Sequence, residues 1–450
     1  LEAKVKPQPQ HMVESIDLST KCEVRQVVHC QHIQFFIFIK QNVKEDSKMS
    51  QTTRPSDTYA PLYFLASLGA GGLSVTFFMW LMHWVPHPGR TVPTFEDISA
   101  ALSTGSLAMQ AMILVAMAGI AFFAFLNIKS LVWNLGRYSA WRQTEAFEKF
   151  SRTNAQSQLM ALPLALGMTV NALFILGLVF VPGLWGVIEY LFPLAIVAFL
   201  AIGALGFQIY GRFLGRVLTE GGFNCAANNN FGQILPAFAF AMIGVGLAAP
   251  AALSAVPAVA GLSLVLSSFF FVTSALIAAV ALVLGMRAMM ENGANPETAP
   301  TLMIVIPLLT ILGILTLRQN HGLDAVFGAE ATSGDTFMLL TKLIAAQVLF
   351  GLFGLMILAR QGYAKRFLFG AENSPGSYAL VCPGVGFAVL MQFFINKGLV
   401  EIGLVTKFSV TFWVLTAISL ASQFAMVWLV LHLNRRHFGA PRNLAAVPAE

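Results

Sequence analysis

A run of about 20 apolar residues has few options other than to cross a bilayer as a helix, and this chain carries ten such runs. They cover residues 61–85, 107–133, 159–181, 184–210, 231–253, 259–286, 301–317, 337–358, 378–396 and 408–433, the seventh being the shortest. Inside lipid a segment must satisfy its own backbone hydrogen bonds, which helices do and open sheet edges do not. The expected class is therefore an all-α integral membrane protein of ten transmembrane helices. Composition agrees: only 11% of residues are charged and 57% are hydrophobic, against roughly 25% charged in soluble domains.

The connections are short. Pro182-Gly183 joins the third and fourth runs, and residues 254–258 join the fifth and sixth. The runs thus pair as five helical hairpins, and residues 58–438 form one membrane domain. Residues 1–57 mix charges, prolines, Cys22 and Cys30 without a usable period. They read as a disordered extension or as an over-called start, with Met49 as a natural beginning. Residues 439–450 form a short cytoplasmic tail. Orientation follows from the basic residues. Loops after even-numbered runs hold Arg137, Arg142, Arg212, Arg287, Arg360 and Lys365, among others, while those after odd-numbered runs hold few. Both termini are expected in the cytoplasm, and the protein in the cytoplasmic (inner) membrane.

The net charge of +6 is what basic cytoplasmic loops produce, so no nucleic-acid partner is implied. Four cysteines without a CxxC pair provide neither a metal site nor a disulfide framework. There is no P-loop, HExxH or dinucleotide fingerprint, so no cofactor is expected. These absences also speak against an ATP-driven pump, a zinc protease or a nicotinamide enzyme.

Helix breakers are placed unevenly. The first run contains Gly69-Ala70-Gly71-Gly72. The third, fifth, seventh and ninth contain Pro163, Pro236, Pro307 and Pro383, whereas among even runs only the fourth has a proline well inside it, Pro193. Proline within a helix removes a donor and bends the chain, and freed carbonyls are tolerated where they face protein or a water-filled cavity. The pattern predicts five bent inner helices around a central pore and five straighter outer ones.

Three segments carry a resemblance: SLGAGGLSVTFFMW (67–80), ETAPTLMIVIPLLTILGI (297–314) and YALVCPGVGFAVL (378–390). Over about residues 58–438 the chain resembles the tellurite-resistance/dicarboxylate transporter family, which includes bacterial TehA, the plant slow-type anion channels and yeast malate transporters. It also resembles the TsoY-type (seleno)protein subgroup. The resemblance implies a homotrimer with a separate pore through each protomer and passage of small anions past a gating phenylalanine. Cys382, directly before Pro383, takes the place of that phenylalanine.

Phe387 and Phe240, each one turn beyond a proline, are the candidates for a replacement gate. The expected pore-lining and helix-break residues are Gly71, Gly72, Pro163, Pro236, Pro307, Cys382, Pro383 and Gly384. Asn171 and Gln392 join them as neutral donors suited to anion passage. Other deep amides, Gln233, Gln347 and Gln423, are expected to hydrogen-bond between helices. Arg318 and His321 follow the seventh run and either attract anions at a pore mouth or belong to an ordinary loop. Two functions from different classes follow. One is a channel or passive transporter for small anions (dicarboxylate, inorganic or chalcogen oxyanions). The other is a membrane thiol oxidoreductase, or a redox-gated pore, with Cys382 as the reacting group; a purely structural membrane subunit is a third reading.

Overall fold

The computed structural model describes residues 54–329 and 332–439. The extension expected over residues 1–57 lies outside them apart from its last four residues, of which Pro55–Asp57 form a 3-10 turn. The tail beyond Gly439 lies outside them as well.

The described residues contain no strand. Ten helices are long and apolar enough to span a membrane: Pro61–Trp84, Leu107–Trp141, Asn154–Phe180, Leu184–Glu220, Gly232–Leu253, Pro257–Asn292, Ala299–Phe327, Ser333–Arg360, Pro375–Val400 and Val410–Phe438. The protein is a multi-pass, all-α membrane protein. Consecutive spans pair as five hairpins, and the odd spans close a ring in which each touches the next and the ninth returns to the first. Burial separates the two classes. In the most apolar stretch of spans one, three, five, seven and nine, 94, 50, 94, 67 and 72% of residues are buried, against 17–33% in the even spans.

The five outer helices run without interruption over Leu107–Trp141, Ile188–Glu220, Pro257–Asn292, Ser333–Arg360 and Val410–Phe438. The inner spans are composite. Each opens on a 3-10 segment, Pro61–Tyr63, Asn154–Met160, Gly232–Ile234, Ala299–Met303 or Pro375–Leu380, and then becomes α-helical.

This changes the expected part played by the prolines. Pro163, Pro307 and Pro383 are each the third residue of their α-segment, and Pro236 is the second. In a first turn the backbone N–H has no intrahelical acceptor, so its loss costs little. These prolines start α-helices after a 3-10 lead; they do not kink helix interiors. The 3-10 lead also supplies partners that the proline cannot: Gly232 C=O, four residues before Pro236, accepts from Leu235 N–H.

The seventh span, expected at residues 301–317, runs Ala299–Phe327. Arg318, Gln319 and His321 end the apolar run without ending the helix, because their side chains find partners. Arg318 donates to Val245 C=O at 2.7 Å, Gln319 to the Ser267 and Ser268 hydroxyls at 2.9 Å, and His321 lies 3.3 Å from the Thr91 hydroxyl.

Glycine allows the inner helices to meet. A Cβ on Gly71 would stand 2.6 Å from Met168 Cγ, one on Gly167 3.1 Å from Met242, and one on Gly244 2.9 Å from Leu315. On Gly386 it would be 2.8 Å from the Pro307 backbone, and on Gly69 2.9 Å from Val381. All five junctions of the ring thus carry a glycine at a tight contact between helices, as in closely packed membrane helix pairs.

Candidate functional site

The ring encloses a cavity of ≈ 910 Å³. All odd spans run in the same direction, so lining residues rise from one end to the other along each. The first lining residue on each is Leu68, Met168, Phe238, Pro307 and Cys382. Just before these, Tyr63, Phe64, Leu164, Phe231, Leu302 and Tyr378 are fully buried and do not border the cavity. The cavity floor lies between these residues and the first lining ones. Above it the wall is apolar through Val75, Phe78, Met242, Ile311, Val385 and Val389.

Charge enters only in the C-terminal parts of the odd spans and their following loops. The seventh span contributes one continuous face, Pro307, Thr310, Ile311, Ile314, Leu317, Arg318, His321 and Asp324, at the helical spacing of three and four. Gly386 packs on Pro307 and Thr310, which sets the level of the ninth span against the seventh. Arg318 lies two turns above Thr310, about 12 Å at 1.5 Å per residue.

The charged lining residues differ in how fully they are engaged. Arg90, in the loop after the first span, holds both Asp97 oxygens at 2.8–2.9 Å. Thr94 and Asp97 form a capping box at the start of helix Phe95–Thr104. Burial pushes the Asp97 carboxyl up, but the bonds from Thr94 and Arg90 outweigh it and hold the group below its usual range. Lys397 is paired with Glu401 at 2.6 Å. Lys407 is held below the usual lysine range, first by partial burial and then by Lys397. Arg318 stands apart. Among the described residues no carboxylate lies within 4.0 Å of it, and its one hydrogen bond is to Val245 C=O. Guanidinium carries five N–H donors, so most of them remain available to the cavity. Val245 is in the last turn of helix Leu235–Leu247, where the helix dipole is negative, and this favours a cation there.

Of the residues singled out from sequence, Gly72, Asn171, Pro307, Arg318, His321 and Cys382 border the cavity. Asn171 donates to Gly167 C=O at 3.1 Å and approaches Met242 Sδ at 3.5 Å. Cys382 is buried at the deep end, and among the described residues no cluster of His, Cys, Asp and Glu able to hold a metal is present. Gly71, Pro163, Pro236, Pro383, Gly384 and Gln392 lie off the cavity. Gly71 faces Asn127 and Met168, and Gly384 faces Met426 of the tenth span. Gln392 donates to Ser419 on that same span at 3.3 Å. Neither phenylalanine considered as a gate borders the cavity. Phe387 is half-buried and one turn on from Gly384, while Phe240 is fully buried between the Phe207 and Phe270 rings, at 4.5 and 6.1 Å.

The rings that do border the cavity are Phe78, Phe174, Phe192, Phe199, Phe238 and Phe393. Phe199 comes from the fourth span and packs on Gly246, where a Cβ would overlap the ring. His83 is buried in the wall edge-on to Phe393, and among the described residues its Nε2 has no hydrogen-bond partner. Compared with protein-family models and with curated proteins, the chain matches none, so what this cavity does is argued from its own residues.

Proposed function

We propose that the protein is a channel or passive transporter for small anions, of the tellurite-resistance/dicarboxylate transporter type, in the cytoplasmic membrane. One observation carries the reading: Arg318, a cavity-lining guanidinium with no carboxylate partner among the described residues, on the seventh span of a closed ring. The surrounding balance supports it, since the other lining Lys and Arg are Arg90, Lys397 and Lys407 against Asp324 and Glu401. A pore that passes anions needs attraction weak enough to allow exit. A single guanidinium already engaged through one donor by a backbone carbonyl meets that need better than a cluster of free cations. With the basic loops on the cytoplasmic side, the charged end of the cavity faces outward and its apolar floor faces the cytoplasm. Assembly as a trimer with one pore per protomer comes from the family resemblance alone.

Anion flux in proteoliposomes tests the reading. Arg318→Gln is expected to lower flux about tenfold, the lower range for a hydrogen bond to a charged group. Absence of flux for chloride, nitrate, sulfite and succinate would overturn it. A second reading, thiol chemistry or redox gating at Cys382, is favoured by that residue bordering the cavity. A small membrane-permeant thiol reagent that leaves Cys382 unmodified up to high pH would remove it.

A further inference from the structure

We infer that the cavity binds an amphipathic organic monoanion, with its acid group on Arg318 and an apolar body directed at the floor. This deepens the reading of Arg318 as an anion-facing group and rests on it. The first observation is size. A cavity of ≈ 910 Å³ belongs to the range of sites that enclose a medium-sized organic ligand, about 300–1,000 Å³. An inorganic ion would leave most of it unfilled.

The second observation is the order of side chains along the wall. Leu68, Val75, Met168, Met242, Ile311 and Val389 line the depth. No Lys, Arg, Asp or Glu borders the cavity between Pro307 and Arg318 on the seventh span, or between Cys382 and Lys397 on the ninth. Of the polar groups in the depth, Thr310 is already engaged, donating to Ile306 and Gly386 carbonyls and accepting from Gln347. Asn171 donates to its own helix. The depth therefore offers contact area and few open hydrogen bonds, while the first charge above it is a guanidinium with donors to spare. About 12 Å separates Arg318 from the level of Thr310, which an extended eight-carbon acid spans together with its roughly 3 Å carboxylate–guanidinium contact. The two acids of the mouth do not compete for Arg318: Glu401 is held by Lys397, and Asp324 lies nearly two turns further along the helix.

Octanoate is the probe. The full chain in lipid nanodiscs is dialysed against labelled octanoate, with uptake by lipid-only nanodiscs subtracted. One saturable site per chain is expected. Hexanoate should compete about tenfold more weakly, from two fewer buried methylenes. Acetate should compete hardly at all, and octanamide, which keeps the chain without the charge, should compete poorly. Arg318→Gln should weaken octanoate about tenfold. Equal competition by acetate and octanoate, or by octanamide and octanoate, would overturn the inference using wild-type protein alone, independently of how the variant folds. Saturable octanoate binding by a protein without anion flux supports the inference while removing the passage reading. Chloride flux without an octanoate site does the reverse.

Discussion

The inner and outer rings are both built from strongly apolar sequence yet differ in backbone. Outer spans are continuous α-helices of 28–36 residues, preceded only in the fourth by a short 3-10 turn, Leu184–Val187, and their exposed faces carry Leu114, Phe125, Val197, Val265, Leu352 and Val414. Facing lipid, each must satisfy its own carbonyls. Inner spans begin in 3-10 geometry, carry prolines and glycines, and are served from outside. Ser263 donates to Leu247 C=O, Ser274 to Ala237 C=O, Gln347 to Ile306 C=O, and Ser419 and Ser422 to the Ala388 and Gly384 carbonyls. Reciprocally, Asn127 of the second span and Ser67 of the first exchange bonds at 2.8–2.9 Å. The outer ring thus acts as a hydrogen-bonding sleeve that makes an irregular inner ring affordable in lipid.

The largest predicted effect comes from widening one inner junction. Gly386→Leu puts a side chain where a Cβ already stands 2.8 Å from the Pro307 backbone. Overpacking of this kind costs about 1–3 kcal/mol. Gly136→Leu on the second span meets nothing within 4 Å and should stay within about 0.5 kcal/mol of wild type. Thermal unfolding of the detergent-solubilised protein compares them, and equal loss in both would break the distinction between the rings.

The mouth belongs to neither ring, and its stability should follow pH in a way the helices do not. The Asp97 carboxylate is held below its usual pKa by Thr94 and Arg90 against the opposing effect of burial. A depressed acid contributes stability above its unfolded value of about 3.9 that is lost as pH falls through the folded value. Hydrogen exchange of the Arg90–Asp97 segment should therefore hold steady from neutral pH to about 4 and loosen below. Asp97→Asn should lose about 1 kcal/mol locally, as caps do, and should flatten that acid dependence.

Much of this arrangement was legible in the sequence. The odd-numbered breakers pointed to the inner ring, and Gly72, Asn171, Pro307 and Cys382 do border its cavity. Hydropathy does not mark where a 3-10 lead turns into α-helix, so a proline inside an apolar run, such as Pro163 or Pro383, can open an α-helix instead of kinking one. Phe240 and Phe387 show a second limit. One turn beyond a proline fixes a height but not a face, and the face depends on which neighbour packs there. In the seventh span the hydropathy ends at Leu317 while the helix runs on to Phe327. Its cavity face changes there from apolar side chains to Arg318, His321 and Asp324, so hydropathy alone ends the span too early.

The smallest predicted effect is the most discriminating, because it uses adjacent residues on one outer helix. Thr273 is half-buried and its hydroxyl donates to Phe269 C=O of its own helix at 2.9 Å; Ser274 is fully buried and donates to Ala237 C=O of the fifth span at 2.8 Å. Both bonds are good in geometry, so a simple count of hydrogen bonds predicts equal losses on conversion to alanine. If the sleeve is what matters, Ser274→Ala should lose about 0.6 kcal/mol, the average for an interhelical side-chain bond in a membrane, with about 1.7 as an upper bound. Thr273→Ala should lose nothing and gain slightly in helix propensity. Unfolding in mixed micelles resolves differences of this size when the two variants are measured side by side. Equal stabilities would mean that the inner carbonyls are served well enough by their own helices, and that the irregular ring holds through glycine packing alone.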